Sequence, residues 1–276
     1  MTDPSPTGSA APSPSESPAR PHTLAGQHAL VTGAGRGIGA AIALSLAQQG
    51  MALTLVARSD EQLLSTARAC GAAGSPSVAT EALDLADRDQ LAELCETVAV
   101  GCDVLINNAG VAPSAPLSQT DDDLFDDTIE LNARVPFALC RAALPAMAER
   151  SWGRVVNVAS TAALEGFPYT SAYVASKHAL LGLTRALSAE IAARWKDADL
   201  TINAVCPGFV DTDIVAQAAA DIAAVSSLDE EAAKARLASL NPSGRLLSAE
   251  EVAAAVLALV AEQPGTSRGV ALRLGD

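Results

Sequence analysis

The chain has 276 residues and a formal net charge of −14 at pH 7, with 49% hydrophobic and only 3% aromatic residues. This acidity argues against a nucleic-acid partner, because nucleic-acid-binding proteins carry basic patches. No apolar stretch approaches the roughly 18 residues of a membrane span, and neither the cysteines nor the histidines have the spacing of metal ligands. We therefore expect no metal site, no membrane partner and a cytoplasmic location, since the first residues also lack the apolar region of a signal peptide.

The first segment in chain order, residues 1–25, is rich in proline and serine. Such a composition buries too little apolar surface to offset the entropy of an ordered chain. It predicts a disordered tail, followed by one domain over residues 26–276 in which no second linker interrupts the sequence.

Short apolar runs alternate with longer amphipathic segments throughout this domain. This alternation predicts βαβ units and a parallel sheet, and the nearly continuous apolar character of the runs indicates helices on both faces. The expected fold class is α/β: a single doubly wound Rossmann domain with a seven-stranded parallel sheet. The predicted strands cover residues 28–32, 52–57, 77–83, 103–108, 154–160, 201–207 and 270–274.

The turn after the first strand has a glycine at every second position, in the segment "TGAGRGIGA". Glycine gives up the most backbone entropy on folding, so a row of glycines needs a physical reason. A dinucleotide site supplies one, because the backbone must approach the pyrophosphate at the N-terminus of the next helix. The strict GxGxxG pattern fails at Ile38, and the register Thr32-Gly33-x-x-x-Gly37-x-Gly39 fits the surroundings better.

The second predicted strand ends in Ala57 and Arg58, at a position where an NAD site usually has an acidic residue. Arg36 stands inside the glycine turn, and guanidinium groups bind a 2′-phosphate through charge-assisted hydrogen bonds. These residues predict NADP(H) as the cofactor. The alternative is that both arginines are ordinary surface residues.

Tyr173 and Lys177 lie four residues apart in a segment with helical periodicity, which places them one turn apart on one face. A phenol has a pKa near 10, and a neighbouring ammonium group or an oxidised nicotinamide favours its ionised form. We therefore expect Tyr173 to be the catalytic acid or base, with a pKa brought closer to neutral pH. Ser160 ends the fifth predicted strand, where its hydroxyl could hold a substrate carbonyl, although an ordinary turn serine is the alternative.

These residues, together with further motifs, resemble the short-chain dehydrogenase/reductase family. The order and spacing of the motifs match that family from Gly26 to about Val260. The resemblance implies an oxidoreductase that transfers a hydride between NADP(H) and a ketone or secondary alcohol, while Tyr173 gives or takes the proton. The motifs are TGxxxGxG from Thr32, NNAG at 107–110, Ser160 thirteen residues before Tyr173, Tyr-x-x-x-Lys, PGFVDT at 207–212 and GRLLSAEEVA at 244–253.

The resemblance also implies roles for further residues. Asn132 would complete the catalytic group and hold a water linked to the lysine, unless it only kinks a helix. Asp84 would accept a hydrogen bond from adenine with Leu85 beside the ring, or would instead cap the helix that begins near Asp87. The other cofactor-binding residues implied are Gly33, Arg36, Gly37, Ile38, Gly39, Arg58, Asn108, Ala109, Gly110, Pro207, Gly208, Val210 and Thr212, with Tyr173 and Lys177.

The substrate is expected between the catalytic group and residues 209–245, whose sequence predicts two short helices that form a lid or a plain surface hairpin. The segments around these sites look most like those of 3-oxoacyl-thioester reductases, 3-hydroxyacyl-CoA dehydrogenases and polyketide ketoreductases. A 3-oxoacyl thioester is thus the expected substrate, and a general secondary alcohol or polyketide-type ketone is the alternative. A non-catalytic dinucleotide sensor would be expected to lack Tyr173 or Lys177, yet both are present.

The family resemblance finally implies a homo-oligomer, a tetramer or a dimer. Helices within residues 121–149 and 169–194 would pair between its subunits.

Overall fold

A computed structural model of the chain describes residues 23–262 and 268–275. Most of the predicted tail, residues 1–22, lies outside the described residues, whereas Leu24 packs in the hydrophobic core. The described strands form one parallel sheet in the order β3-β2-β1-β4-β5-β6-β7. They are β1 His28–Thr32, β2 Ala52–Ala57, β3 Val78–Ala82, β4 Val104–Asn107, β5 Trp152–Val158, β6 Asp199–Pro207 and β7 Ala271–Leu274.

The helices of the described ranges follow the strands in alternation. Several begin at a side chain that accepts backbone hydrogen bonds, as Ser59, Asp87 and Ser248 do for α2, α3 and α9. A π-helical turn, Glu130–Arg134, joins α4 to α5. The helices are α1 Gly37–Ala47, α2 Asp60–Ala73, α3 Arg88–Thr97, α4 Asp122–Ile129, α5 Val135–Glu149, α6 Ser171–Arg194, α7 Asp213–Val225, α8 Glu230–Ala238 and α9 Ala249–Ala261.

Successive residues of the central strands face opposite sides of the sheet. Val31 of β1 packs in one core cluster with side chains of α1, α2 and α9, while its neighbour Leu30 packs in a second cluster with side chains of α3, α5 and α6. Helices therefore cover both faces, and the predicted doubly wound α/β fold is confirmed.

The strand boundaries differ from the predicted ones by at most two residues. β1 and β2 have the predicted bounds, whereas β5 and β6 begin two residues earlier than the apolar pattern indicates. Their extra residues pair with each other, Trp152 with Asp199 and Gly153 with Leu200. An acidic residue and a glycine are poor strand signals in sequence, and only the pairing of the two strands makes them part of the sheet.

The segment 209–245 contains the two expected helices, α7 and α8. They pack on each other through a small apolar cluster formed by Val215, Ala219, Ala233 and Leu237. The described helices include none with the length and hydropathy needed to cross a bilayer. Within the same ranges, no group of three or more His, Cys, Asp and Glu side chains is arranged to hold a metal ion.

Candidate active site

A crevice is expected at the point where the strand order reverses, because β1 is flanked by β2 on one side and by β4 on the other. The turns that follow β1 and β4 meet at this point. The Asn108 side chain donates hydrogen bonds to the carbonyl oxygens of Thr32 and Gly33, at 3.0 and 3.2 Å. The backbone N–H of Ala109 donates to the Thr32 hydroxyl, at 3.1 Å. Asn108 and Ala109 therefore brace the glycine turn from behind.

The glycine turn has the form that a diphosphate group requires. A Cβ atom placed on Gly39 would lie 2.1 Å from the carbonyl oxygen of Gly33, so no side chain fits between α1 and the turn. Gly37 has φ +54°, a left-handed conformation that favours glycine. No side chain caps α1 at Arg36, so the first amides of this helix can bind an anion. Ile38 packs against the first core cluster and offers only its backbone.

Arg36 and Arg58 lie on neighbouring loops, the first in the glycine turn and the second directly after β2. A Cβ placed on Gly35 would lie 3.4 Å from the Cβ of Ala57, which brings the glycine turn onto the end of β2. Both arginines are exposed. The Nη1 atom of Arg36 lies 2.5 Å from an Oδ2 atom of Asp213, the first residue of α7. Their convergence on a 2′-phosphate stays a prediction.

The two residues predicted to contact adenine, Asp84 and Leu85, follow β3. The exposed Asp84 accepts a hydrogen bond from the N–H of Ala86, at 3.0 Å. Asp87, and not Asp84, caps α3, because its carboxylate accepts from Asp89 and Gln90 at 2.9 and 3.2 Å. The capping alternative for Asp84 is therefore wrong. Leu85 belongs to the second core cluster.

The loop after β6 crosses the glycine turn. Its predicted cofactor residues are held by neighbouring backbone: the N–H of Gly208 donates to Leu274, at 3.2 Å, and Val210 forms a bridge with Leu247. Pro207 is the last residue of β6 and pairs with Leu274. Thr212 precedes α7, with its Cγ2 atom 3.4 Å from a Cβ placed on Gly37. Residues 207–212 thus form the wall opposite the turn.

Tyr173, Lys177 and Ser160 lie together at the carboxyl end of β5. Lys177 is 5% exposed, and its ammonium group donates to the carbonyl oxygen of Val158, at 2.9 Å. The same Nζ atom lies 5.8 Å from the centre of the Tyr173 ring. Ser160 follows β5 by two residues and forms a hydrogen bond with Tyr173 that lowers the pKa of the phenol.

The charge state of the tyrosine differs from the expectation. Burial raises the pKa of Tyr173 above its usual value and outweighs the opposing hydrogen bond with Ser160. Burial also lowers the pKa of Lys177 to about 8. The expected lowering of the Tyr173 pKa is not produced by the chain's own residues, because desolvation of the phenol outweighs the hydrogen bond that favours its ionised form. Tyr173 is consequently protonated at neutral pH, which is the form that donates a proton.

Asn132 is fully buried in the π-helical turn, which agrees with the alternative of a helix irregularity. Its Nδ2 group donates to Val111 O at 2.8 Å and to Ser176 Oγ at 2.9 Å, and its Oδ1 atom accepts from Val111 N at 2.9 Å. Ser176 in turn donates to the carbonyl oxygen of Tyr173, at 2.7 Å. A Cβ placed on Gly110 would lie 2.8 Å from Asn132 Oδ1. Asn132 is thus a positioning residue, and its water contact stays a prediction.

Sequence reasoning did not place Cys206 at the site. Cys206 is buried near the end of β6, next to Ser160, whose backbone forms a hydrogen bond with it. Its thiol also influences the pKa values of Tyr173 and Lys177. Burial raises the pKa of Cys206, so it remains a neutral thiol. Its place directly before the PGFVDT motif was the available signal.

Asn241 is the second residue that the sequence did not reveal. It is 3% exposed and accepts from the N–H of Phe209 at 2.8 Å. Its Nδ2 group donates to the carbonyl oxygens of Phe209 and Arg245, at 2.9 and 2.7 Å. Asn241 therefore fixes the loop after β6 against the chain that follows α8.

Two aromatic rings face each other between the loop after Ser160 and the loop after β6. Phe167 and Phe209 pack edge to face, with ring centres 6.2 Å apart and an angle of 89° between the rings. The pair therefore joins these two loops through an apolar contact.

Fold and site together define a class of enzyme: an oxidoreductase that uses a nicotinamide dinucleotide to act on ketone or alcohol groups. A model of the short chain dehydrogenase family matches residues 27–223. The chain belongs to this family, and the predicted family and reaction type are confirmed.

Named relatives and solved structures cover nearly the whole chain. The 3-oxoacyl-[acyl-carrier-protein] reductase of Pseudomonas aeruginosa is 35% identical over 85% of this chain and 90% of its own length. The D-beta-hydroxybutyrate dehydrogenase of Rhizobium meliloti is 32% identical over 87% of this chain and 94% of its own. The crystal structure of a single-residue variant of actinorhodin polyketide ketoreductase with NADPH has a TM-score of 0.82 and 34% identity, covering 90% of this chain and 95% of that one.

Proposed function

We propose that this protein is an NADP(H)-dependent reductase of 3-oxoacyl thioesters. The observation that carries the proposal is the group at the end of β5, where a protonated Tyr173 meets Ser160 and stands above the buried ammonium of Lys177. The reduced cofactor, when bound in the crevice beside them, supplies the hydride. Ser160 would hold the ketone oxygen and Tyr173 would give it a proton.

Lys177 would serve the proton transfer through its charge. Its ammonium is protonated below pH of about 8, where it stabilises the phenolate that remains after Tyr173 has given up its proton. The Val158 carbonyl and the Asn132–Ser176 hydrogen bond keep the lysine and the tyrosine helix in place. In this proposal Tyr173 is the acid, Ser160 makes the contact with the ketone oxygen and Lys177 provides the compensating charge.

Replacement of Tyr173 by phenylalanine tests this mechanism, because it removes the hydroxyl and keeps the ring. Turnover of ketone should fall by about 100-fold or more, the usual contribution of a general acid. The dissociation constant of NADPH should stay nearly unchanged. Wild-type turnover in this variant would disprove the role of Tyr173.

The choice of NADP(H) is supported by Arg36 and Arg58 on the two loops at the adenosine end, and by Ala57 in place of an acidic residue. The structurally similar actinorhodin ketoreductase was crystallised with NADPH. We expect kcat/KM to be higher with NADPH than with NADH, and Arg58→Gln to reduce the NADPH value while leaving the NADH value nearly unchanged. Equal efficiency with both cofactors in the wild-type protein would reject this assignment.

The substrate class is supported by the apolar pair Phe167 and Phe209 and by the ketoacyl chemistry in the names of the relatives. A polyketide-type ketone is the second candidate, favoured by the resemblance to the actinorhodin enzyme. NADPH oxidation should be measured with acetoacetyl-CoA, a longer 3-oxoacyl thioester, a cyclic ketone and an aryl ketone. Turnover of the ketones without turnover of any thioester would favour the second candidate.

We further infer a cytoplasmic homo-oligomer, a dimer or tetramer, in which helices within 121–149 and 169–194 pair between subunits. Phe125 on α4 and Phe137 on α5 are 40% and 43% exposed, and such apolar side chains favour burial against a partner. Analytical ultracentrifugation should give a mass of two or four chains, and Phe137→Glu should lower it. A monomer in the wild-type protein would contradict the inference.

A further inference from the structure

One ion pair joins the glycine turn to the segment 209–245, which contains α7 and α8 and is called the lid below. Arg36 Nη1 lies 2.5 Å from Asp213 Oδ2, although the two residues are 177 positions apart in the chain. The contact beside it involves Thr212, whose Cγ2 atom lies 3.4 Å from a Cβ placed on Gly37. Two consecutive residues of the lid therefore meet two consecutive residues of the glycine turn.

A phosphate group can replace the Asp213 carboxylate on Arg36, because a guanidinium group binds both kinds of anion. A guanidinium group presents a planar set of N–H donors that fits a carboxylate and a phosphate in the same way. Arg36 also stands at the N-terminus of α1, where phosphate groups bind to the backbone of a dinucleotide-binding turn. The carboxylate of Asp213 thus occupies the Nη1 donor of Arg36, which a phosphate could otherwise bind. The two anions would repel each other if both stayed at this place.

We propose that Asp213 competes with a phosphate group of the dinucleotide for Arg36, so that the lid and the cofactor bind this guanidinium alternately. Asp213 would then limit the affinity for the cofactor. The proposal rests on the proposed cofactor-dependent function, and it adds a residue of the lid to the determinants of cofactor binding.

The exposure of Arg36 and Asp213 fits an ion pair that a phosphate can replace, and not a permanent contact. The side chains of Arg36 and Asp213 are 60% and 67% exposed, whereas Arg154, which pairs with Asp199 at the base of the sheet, is 1% exposed. Exposed pairs contribute little free energy, so a phosphate can displace the carboxylate. The energy of such a pair corresponds to about a two- to fivefold change in affinity.

The test is the dissociation constant of the reduced cofactor, measured by nicotinamide fluorescence in the absence of substrate. Asp213→Asn should bind NADPH about two- to fivefold more tightly than the wild type. Asp213→Glu keeps the charge and should bind like the wild type. Asp221→Asn is the matched control, because Asp221 carries the same charge on α7 but accepts a hydrogen bond from the Gln217 side chain, at 2.9 Å; its NADPH affinity should not change.

Parallel titrations with NADH identify the competing phosphate. A gain confined to NADPH assigns the 2′-phosphate, and an equal gain for both cofactors assigns the diphosphate; either result supports the competition. The last comparison uses Arg36→Gln, because adding Asp213→Asn to this variant should bring no further gain in NADPH affinity. The proposal is overturned if Asp213→Asn leaves NADPH affinity unchanged or weakens it, or if the gain persists without Arg36.

The failure of the proposed function would look different. A wild-type protein that binds NADPH but oxidises it with none of the ketones or thioesters would refute the reductase function and leave the competition intact. Conversely, normal ketone reduction with an Asp213→Asn variant of unchanged NADPH affinity would refute only the competition.

Discussion

Lys177→Met should make the protein inactive and more stable at the same time. Lys177 is 5% exposed, and burial lowers its pKa from 10.5 to about 8. The difference between these two values, about 2.5, corresponds to about 3 kcal/mol of unfavourable charge burial at neutral pH. The substitution also removes the hydrogen bond to Val158 O, which contributes about 1 kcal/mol. We therefore expect the free energy of unfolding at pH 7 to rise by about 2 kcal/mol.

The pH dependence provides a more specific signature. Between pH 8 and 10.5 the unfolded chain keeps a proton on Lys177 that the folded chain has released, so the wild type gains stability as the pH rises. Below pH 8 Lys177 is protonated in both the folded and the unfolded chain, so the stability of the wild type does not rise with pH there through this group. Lys177→Met lacks the titrating group, so its advantage over the wild type should shrink by about 1.4 kcal/mol per pH unit above pH 8.

Urea unfolding at fixed protein concentration, at pH 7, 8, 9 and 9.5, measures this difference. Lys234→Met is the matched control: Lys234 is a partly exposed lysine whose pKa is raised by Asp211, so its loss should lower stability at pH 7. The reasoning is refuted if Lys177→Met is less stable than the wild type at pH 7 and the difference does not change up to pH 9.5.

Two further substitutions test the glycine turn and the contacts that hold the loop after β6. Gly39→Ala should abolish NADPH binding and, in a thermal unfolding assay, destabilise the protein by about 3 kcal/mol or more, because the added Cβ would lie 2.1 Å from Gly33 O. Gly71→Ala is the control, because a Cβ at this helical position has no atom within 4 Å. It should raise stability by about 0.5–1 kcal/mol in the same assay. Asn241→Ala should lower stability by about 1–3 kcal/mol and raise the KM for ketone, because the backbone groups of Phe209 lose their buried partners. The KM is measured by steady-state kinetics at saturating NADPH, and an unchanged value would contradict this prediction.

The sequence was sufficient for those features that depend on local pattern. The alternation of apolar runs and helical segments predicted the sheet, since strands such as β1 and β2 are buried on both faces and read as continuous apolar segments. The spacing of Tyr173 and Lys177 placed both on one face of α6, where the structure has them. Periodicity and spacing are properties of short segments, so one chain is enough to read them.

Other features depend on contacts between distant segments. Asn241 holds Phe209 across 32 residues, and nothing in the sequence around either residue indicates that partner. The pKa of Tyr173 follows from how deeply α6 packs against β5 and β6, so its direction could not be deduced from the spacing of Tyr173 and Lys177. Arg36 was assigned to a phosphate from its motif alone, because Asp213 begins α7, whose position relative to the glycine turn the sequence does not specify.

The two ends of the crevice differ in burial, and this difference separates their roles. At the chemical end, Asn132 and Lys177 are almost completely enclosed, and each has hydrogen-bond partners among the described residues. Buried polar groups with fixed partners hold one geometry, because losing a partner leaves a desolvated charge or dipole. At the cofactor end, Arg36 and Arg58 are exposed, and an exposed guanidinium can exchange one anion for another at little cost. Substitutions at the chemical end should therefore change turnover, whereas those among the exposed arginines should change which dinucleotide binds and how tightly.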